Sequence, residues 1–160
     1  MNARSPLAKY SGELLRAVID NLAEGVLIYD SEGKVITANP AAEAILARPL
    51  TELVGSRPTD RGCVASPVDP VAWPVDRHPP LETLATGEPH RDVVKGVLRP
   101  DGSRVWISVS TTLVELPLFY GGCGVVGSFV DVTTTVKAHH ALKRNKHHFR
   151  DLTELSADWY

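Results

Sequence analysis

The feature that most constrains the fold is a stretch of alternating side chains over residues 91–115, divided by one turn at Asp101-Gly102. In its second half, every other position holds an apolar residue or threonine, namely Val105, Ile107, Val109, Thr111 and Leu113. A period of two is typical of a half-buried β-strand, and Asp-Gly between two such runs is typical of a hairpin turn. The sequence therefore predicts two antiparallel strands, over residues 91–98 and 104–115.

The rest of the chain contains the patterns of further short strands and helices. Leu14, Val18 and Leu22 repeat every four residues, as on one face of a helix, and Asn39-Pro40 supplies an N-cap and a first helical proline. The predicted elements outside the hairpin are helices over 11–22, 40–47, 50–54 and 81–85, strands over 26–29, 34–38 and 125–132, and a helix from residue 133 onward. Helices and strands segregated in this way, with antiparallel hairpins, indicate an α+β domain built on one sheet.

Residues 58–80 are predicted to form a loop with at most short helical turns. Six of the twelve prolines of the chain lie in this segment. Proline removes a backbone donor and fixes φ, so neither a long helix nor a central strand is expected there.

Composition and charge argue against several classes of protein. The formal net charge is -2, whereas nucleic-acid-binding domains usually carry a basic excess, so no nucleic-acid partner is expected. No apolar run reaches the roughly 18 to 20 residues of a membrane-spanning helix, and the N-terminus lacks the apolar core of a secretion signal. The two cysteines, Cys63 and Cys123, do not form a metal-binding or disulfide pattern. We therefore expect a cytoplasmic location, with both thiols reduced.

Several short motifs, taken in order, resemble the PAS family of sensory domains. Asn39-Pro40-Ala41-Ala42 follows a two-strand opening, Thr86-Gly87-Glu88-Pro89 precedes a strand, and Arg99-Pro100-Asp101-Gly102-Ser103-Arg104-Val105-Trp106 spans the hairpin. Val130-Asp131-Val132-Thr133 resembles the Asp-Ile-Thr ending of the family's last strand, with Val132 in place of isoleucine. No single motif is specific, but their order over residues 14–133 is.

The resemblance implies a five-stranded antiparallel sheet with short helices on one face, flanked by an N-terminal and a C-terminal helix. It also implies a small cavity between the sheet and the short helices. By strand alternation and family position, the candidate ligand-binding residues are Ile28, Ile45, Leu81, Leu84, Val94, Ile107, Val109 and Phe129. Most of these positions are also what a plain hydrophobic core requires.

The junction between the last strand and the following helix is the expected route of a signal. Asp131 or Thr133 can accept hydrogen bonds from the free N–H groups at the start of that helix, which would couple the helix to the sheet. The alternative is a cap that only stabilises the helix, by roughly 1 kcal/mol.

Both ends of the chain suggest a larger signalling protein. Ala138, Leu142, Asn145, Phe149 and Leu152 have the spacing of a coiled-coil seam. A homodimer through the terminal helices is therefore expected, with a solitary amphipathic helix as the alternative. The expected organisation is a flexible tail over 1–10, a PAS domain over 11–133, a helical linker over 134–150 and the truncated start of a second PAS domain over 151–160. The family implies an output domain beyond them, a diguanylate cyclase or a histidine kinase of a two-component system.

Cofactor and metal sites find little support in the sequence. The residues around Cys63 do not match the Asn-Cys-Arg-Phe-Leu motif of flavin-binding PAS domains, and those around His78 and His90 do not match a haem type, so both histidines are interpreted as surface residues. The pairs His139-His140 and His147-His148 are two helical turns apart, too far to share one metal ion. The basic segment 134–150 could contact anionic lipid or nucleic acid. A solvated linker face is the preferred interpretation, because acidic residues follow at once.

No pattern indicates catalysis. The chain contains no Gly-x-Ser-x-Gly elbow, no phosphate-binding GxxxxGK[ST] loop and no HExxH. Gly121-Gly122-Cys123-Gly124 precedes a predicted strand rather than a helix, so it lacks the helix N-terminus that would bind an anion and is interpreted as a hairpin loop. No residue is therefore assigned a catalytic role.

Two functions remain open at this stage. One is a module that senses a small ligand in the cavity, and the other is a ligand-free module for dimerisation and relay. A roomy pocket with His78, Thr111 or Ser128 pointing inward would favour the first function. A core filled by its own side chains would favour the second.

Overall fold

The computed structural model of the chain describes residues 12–64, residue 74 and residues 77–142. Several predictions fall partly or wholly on other residues: the flexible tail over 1–10, the middle of the proline-rich loop over 58–80, most of the coiled-coil seam, and the start of a second domain over 151–160. These parts lie outside the described residues.

The strands form one five-stranded antiparallel sheet. They are β1 (Gly25–Tyr29), β2 (Val35–Ala38), β3 (His90–Leu98), β4 (Arg104–Glu115) and β5 (Cys123–Asp131). Their order across the sheet is β2-β1-β5-β4-β3, and every neighbouring pair is antiparallel. The predicted fold class, an α+β domain with such a sheet, is confirmed.

The predicted bounds of the last strand need a correction. We predict it from residue 125, with the glycine-rich run as a loop, but β5 begins at Cys123. The strand extends because Gly124 passes so close to β1 that an added Cβ would collide with the backbone oxygen of Tyr29. Glycine is needed at that position for packing rather than for a turn.

The helices flank the sheet and cover one of its faces. They are α1 (Gly12–Asp20), α2 (Pro40–Leu46), α3 (Leu50–Leu53), α4 (Pro79–Thr86) and α5, which begins at residue 133 and is described to residue 142. Pro58–Arg61 and Leu118–Tyr120 form short 3₁₀ turns. Helix α2 packs on β1, and α4 packs on β4 and β5. Leu46 and Leu53 are buried against the inward-facing residues of the sheet, such as Leu27, Val105 and Val125.

Asn39 ties the N-terminal half of the domain together. Its Oδ1 accepts hydrogen bonds from the N–H groups of Ala42 and Val26, at 3.0 and 2.8 Å. Its Nδ2 donates to the carbonyl oxygens of Ile19 and Glu24, at 3.0 and 2.9 Å. The predicted N-cap of α2 therefore also fixes the chain that joins α1 to β1, since all four capacities of its amide are satisfied.

Helix α1 lies over the outer surface of β1 and β2 and leaves a groove beside it. The groove has a volume of about 280 Å³ and is bordered by Leu15 and Ile19 of the helix and by Val26 and Ile28 of the sheet. None of the α1 side chains is buried. Helix α1 is therefore amphipathic, and the described residues do not bury its apolar face.

Candidate functional site

A cavity lies between the sheet and the helices that cover it. The volume open to the centre of a water molecule is about 20 Å³, which is enough for a single water or an ion of similar size. The residues that line it are Leu27, Tyr29, Leu46, Arg61, Pro80, Lys95, Val97, Ile107, Val109, Gly127 and Phe129. Most of these are apolar, and the polar groups come from β1, β3 and the turn before Gly62.

Lys95 faces into the domain because of the alternation along β3. Val93, Lys95 and Val97 point to the covered face, and Lys95 is only 3% exposed. Burial lowers the pKa of the Lys95 ammonium below its ordinary value, and the charge of Arg61 lowers it further, while electrostatic attraction to Cys63 and a hydrogen bond with it act in the opposite sense. The side chain is therefore a buried amine held next to a thiol.

Arg61 is the last residue of the 3₁₀ turn Pro58–Arg61, and its side chain enters the site from there. The turn is closed by a hydrogen bond of 2.9 Å from the Arg57 N–H to Asp60 Oδ2. After Gly62 the chain docks on the edge of β3, where Val64 and Gly96 exchange two backbone hydrogen bonds of 2.9 Å each. This docking holds Arg61 beside Lys95.

The Arg61 guanidinium is buried, at 5% exposure, and meets neutral groups. Its Nη1 donates to Tyr29 Oη at 3.1 Å and its Nη2 donates to Ser56 Oγ at 3.3 Å. The guanidinium carbon also lies 5.8 Å from the centre of the Tyr29 ring, within the range of a cation–π contact. Arg61 Nε has no hydrogen-bond acceptor among the described residues.

His78 completes a cluster of three basic side chains. Burial lowers the pKa of its imidazole to about 4, and the nearby charges of Lys95 and Arg61 add to the effect. The interpretation of His78 as a surface residue is wrong, since it is 3% exposed. The reason is that Pro79 and Pro80, which begin α4, are themselves buried against the sheet and carry His78 inward with them.

The other polar residues considered from the sequence lie on both faces of the sheet. Thr111 is fully buried on the covered face, where its Oγ1 lies 2.7 Å from Thr83 Oγ1 of α4. Ser128 lies on the opposite face, because it alternates with the inward-facing Gly127 and Phe129. His90 is half-buried, with Nε2 2.9 Å from Glu82 Oε2.

The eight candidate ligand-binding residues occupy three kinds of position. Ile107, Val109 and Phe129 line the cavity. Ile45 and Leu84 pack against the core, and Leu81 lies on the same side, within reach of the Gly33 backbone. Ile28 and Val94 lie on the opposite face of the sheet, and Val94 is 44% exposed. These two do not border the cavity, because the strand registers place Leu27 and Lys95 inward in their stead.

The junction residues are both engaged in hydrogen bonds. Asp131 Oδ1 accepts from the Thr133 N–H at 2.9 Å, and Thr133 Oγ1 accepts from the Trp106 N–H on β4 at 3.0 Å. Asp131 Oδ2 also lies 3.8 Å from Arg99 Nη2, and Arg99 Nε donates to the Ile45 carbonyl at the end of α2. The start of α5 is therefore bonded to the sheet, and through Arg99 to a helix that lies beside the cavity.

Arg61 and Lys95 are the charged site residues that sequence reasoning missed, and Tyr29, whose hydroxyl accepts from Arg61, was missed with them. Only a partial signal for Lys95 was present: it lies between Val93 and Val97 at a period of two, but the adjacent Val94 left the inward face of the strand undecided. Arg61 carried no comparable signal, because its inward direction depends on how a proline-rich segment docks on β3.

Neither a metal-binding group of side chains nor a membrane-spanning helix lies within the described part of the chain. No group of three or more His, Cys, Asp or Glu side chains in that part of the chain could hold a metal ion. None of the helices described is long and apolar enough to cross a membrane. Cys63 is buried, Cys123 is half-buried, and both are free thiols.

Comparisons with known proteins agree with this architecture. A search of curated protein sequences found no match. Among solved structures, the PAS domain of a Colwellia psychrerythraea protein shares 15% identity at a TM-score of 0.58, covering 76% of this chain and 97% of its own. The PAS domain of nitrogen regulation protein NR(II) from Vibrio parahaemolyticus shares 16% identity at a TM-score of 0.56, covering 74% of this chain and 97% of its own.

A third structure comes from a sensory box sensor histidine kinase/response regulator of Geobacter sulfurreducens. It shares 21% identity at a TM-score of 0.54, with 76% of this chain and 95% of its own covered. At such identities these structures establish the fold alone. The sequence profile described as the PAS fold matches residues 19–137, most of the chain. With the sheet order and the helices on one face, this match shows that the chain belongs to the PAS family.

Proposed function

We propose that this PAS domain senses a small ligand in the cavity beside Arg61 and Lys95 and relays its binding to α5. PAS domains are generally sensor modules without catalytic activity. The observation that carries the proposal is the presence of buried polar donors beside an internal space, since a domain that needed only a core would not bury them there. Arg99 supports the relay, because it contacts both the end of α2 and Asp131 at the start of α5.

The proposed organisation follows the resemblance of the sequence to its family. Residues 11–133 would form the sensor, 134–150 a helical linker and 151–160 the beginning of a second PAS domain in a cytoplasmic signalling protein. The output domain would be a histidine kinase, as in the Geobacter sulfurreducens protein by its name, or a diguanylate cyclase.

The second candidate function is a ligand-free module for dimerisation and relay. Two observations favour it: the cavity is small, at about 20 Å³, and the apolar face of α1 is exposed, with Leu14 and Val18 each more than 40% accessible. In this function α1 of two protomers would pack together, and the signal would arrive as strain rather than as a ligand.

Native mass spectrometry of the purified chain, before and after denaturation, distinguishes the two functions. The sensor function predicts a small mass that is released on unfolding, whereas a dimer without such a mass supports the relay function. The matched variant is Gly127→Ala, which reduces the cavity. Its new methyl would meet Tyr29 Cε2 at 3.4 Å and Thr111 Cγ2 at 3.9 Å, both ordinary contact distances.

We expect Gly127→Ala to fold, to gain roughly 0.4–1 kcal/mol of stability, and to lose the bound mass. Gly12→Ala is the control, because its added methyl would meet nothing within 4 Å. Retention of the bound mass by Gly127→Ala would place the ligand elsewhere in the domain and contradict the proposal.

A further inference from the structure

The cavity is bordered by positive charge that no buried acid balances. Arg61 and Lys95 are 5% and 3% exposed, and among the described residues no Asp or Glu side chain is buried. The nearest acid along the chain, Asp60, is exposed and accepts a hydrogen bond from the Arg57 N–H. A buried cation is costly unless an anion or strong hydrogen bonds compensate it.

The hydrogen bonds that these cations make are incomplete and go to neutral groups. Arg61 donates to the hydroxyl groups of Tyr29 and Ser56, and its Nε has no acceptor among the residues described. Lys95 interacts with the Cys63 thiol, a weak partner for an ammonium group. An anionic acceptor would form shorter and stronger bonds with both side chains.

We propose that the ligand of this cavity is a small oxyanion, a carboxylate or an inorganic species of a few heavy atoms, bound between Arg61 and Lys95. This inference rests on the proposed sensor function and narrows it to a chemical class. The guanidinium offers a planar set of donors that matches a planar oxyanion, and the lysine supplies a point charge. Ile107, Val109 and Phe129 form an apolar wall of the same space.

The size of the cavity sets the upper limit of the ligand. A volume of about 20 Å³ for the centre of a water molecule holds about one water. Formate and nitrate, with so few heavy atoms, therefore need only a small outward shift of the lining side chains, whereas a long-chain or aromatic acid needs a large one. Formate represents carboxylates and nitrate represents inorganic oxyanions. Comparing their two affinities therefore shows which class of anion the site prefers.

The test is calorimetric titration of the chain with sodium formate, sodium nitrate and formamide at constant sodium concentration, with sodium gluconate as the bulky filler salt. Formamide has the shape of formate without its charge. We expect binding of formate or nitrate and none of formamide.

Two variants separate the contribution of the Lys95 charge to anion binding from the contribution of the cavity volume. Lys95→Met should weaken anion binding roughly ten- to hundred-fold, the range that loss of a hydrogen bond to a charged group gives. Gly127→Ala keeps both charges and should abolish binding by reducing the space. Lys34→Met is the control, since this lysine is half-exposed and pairs with Glu32 at 3.3 Å.

Each other outcome has a defined meaning. If formamide binds as well as formate and Gly127→Ala removes both, the cavity senses a neutral molecule, and the sensor function stands without the anion. If no probe binds and native mass spectrometry still releases a neutral mass, the same conclusion follows. Absence of both binding and released mass would overturn the anion and the sensor function together. Unchanged anion affinity in Lys95→Met would overturn the site.

Discussion

At the scale of single residues, the charge state of His78 in the buried basic cluster depends on the positions of Lys95 and Arg61. His78 lies close enough to Lys95 and Arg61 for their charges to act on its imidazole. All three side chains are buried. Burial disfavours the protonated imidazole of His78, and the charges of Lys95 and Arg61 add to this effect, so its pKa is lowered from 6.5 to about 4. The domain therefore holds a neutral histidine at pH values where an exposed one would be charged.

This position makes stability depend on pH in a defined direction. Between pH 6.5 and about 4 the unfolded chain binds a proton at His78 that the folded domain does not. Folding is therefore weakened as the pH falls through that range, by up to roughly 3 kcal/mol. We expect the difference in free energy of unfolding between wild type and His78→Gln to change by about that amount from pH 7 to pH 4, measured by urea denaturation.

The same comparison provides its own control above pH 7. His78 is neutral in both states there, so the difference between the two proteins should be constant with pH. A difference that stays equally constant from pH 7 to pH 4 would show that His78 is accessible to protons in the folded domain.

At the scale of elements, the link between β5 and α5 depends on two short polar side chains. Asp131 accepts from the Thr133 N–H, and Thr133 accepts from Trp106 of the neighbouring strand. The helix therefore cannot begin independently of the sheet. Thr133 is the stronger connection of the two, because its partner belongs to β4 rather than to its own turn.

Substitution at position 131 separates the cap from the ion pair. Asp131→Ala removes both and should destabilise the start of α5 by roughly 0.5–2 kcal/mol. Asp131→Asn retains an acceptor for the Thr133 N–H and loses only the half-exposed pair with Arg99, worth at most about 1 kcal/mol. We expect hydrogen exchange of the first-turn amides of α5 to accelerate in Asp131→Ala and to change little in Asp131→Asn.

Equal acceleration in the two variants would mean that the charge pair with Arg99, not the cap, holds the helix. A third variant, Thr133→Val, removes the acceptor of the Trp106 N–H. It should weaken the attachment of α5 to the sheet without abolishing it, because the backbone bond of 2.8 Å from the Val132 N–H to the Trp106 carbonyl remains. The core should stay intact, which near-ultraviolet circular dichroism of the tryptophans can check.

At the scale of the whole molecule, α1 presents a continuous stripe of exposed apolar side chains. Val18 is 52% exposed, more than any other apolar residue of that helix. A soluble domain rarely leaves such a stripe uncovered, so a partner surface is expected. The proposal that two protomers pair through their terminal helices gives this stripe a role.

The corresponding prediction concerns oligomeric state. Val18→Glu places a charge in the centre of the apolar stripe and should convert a dimer to a monomer in sedimentation-velocity experiments. Ala17→Glu, on the polar side of the same helix, should remain dimeric. A wild-type chain that is monomeric at high micromolar concentration would contradict pairing through α1.

Much of the fold could be predicted because its signals are local. The alternation of β4 and the Asp101-Gly102 turn specified a hairpin whose second strand has the predicted bounds. Asn39-Pro40 specified the start of α2, and its cap hydrogen bond to the Ala42 N–H is present. Three of the eight candidate ligand-binding residues border the cavity, because strand alternation places them on the covered face.

The remaining part of the site was decided by contacts between distant segments. Sequence alone indicated an α+β sheet, the strand periods and the family. It did not show that residues 61–64 dock on β3, that Pro79 and Pro80 carry His78 inward, or that Lys95 and not Val94 faces the cavity. Burial of a charged side chain runs against local preference, and only the combined packing of the sheet, the 3₁₀ turn and α4 can impose it. The sequence thus determined the framework, and the tertiary structure alone determined the buried basic cluster within it.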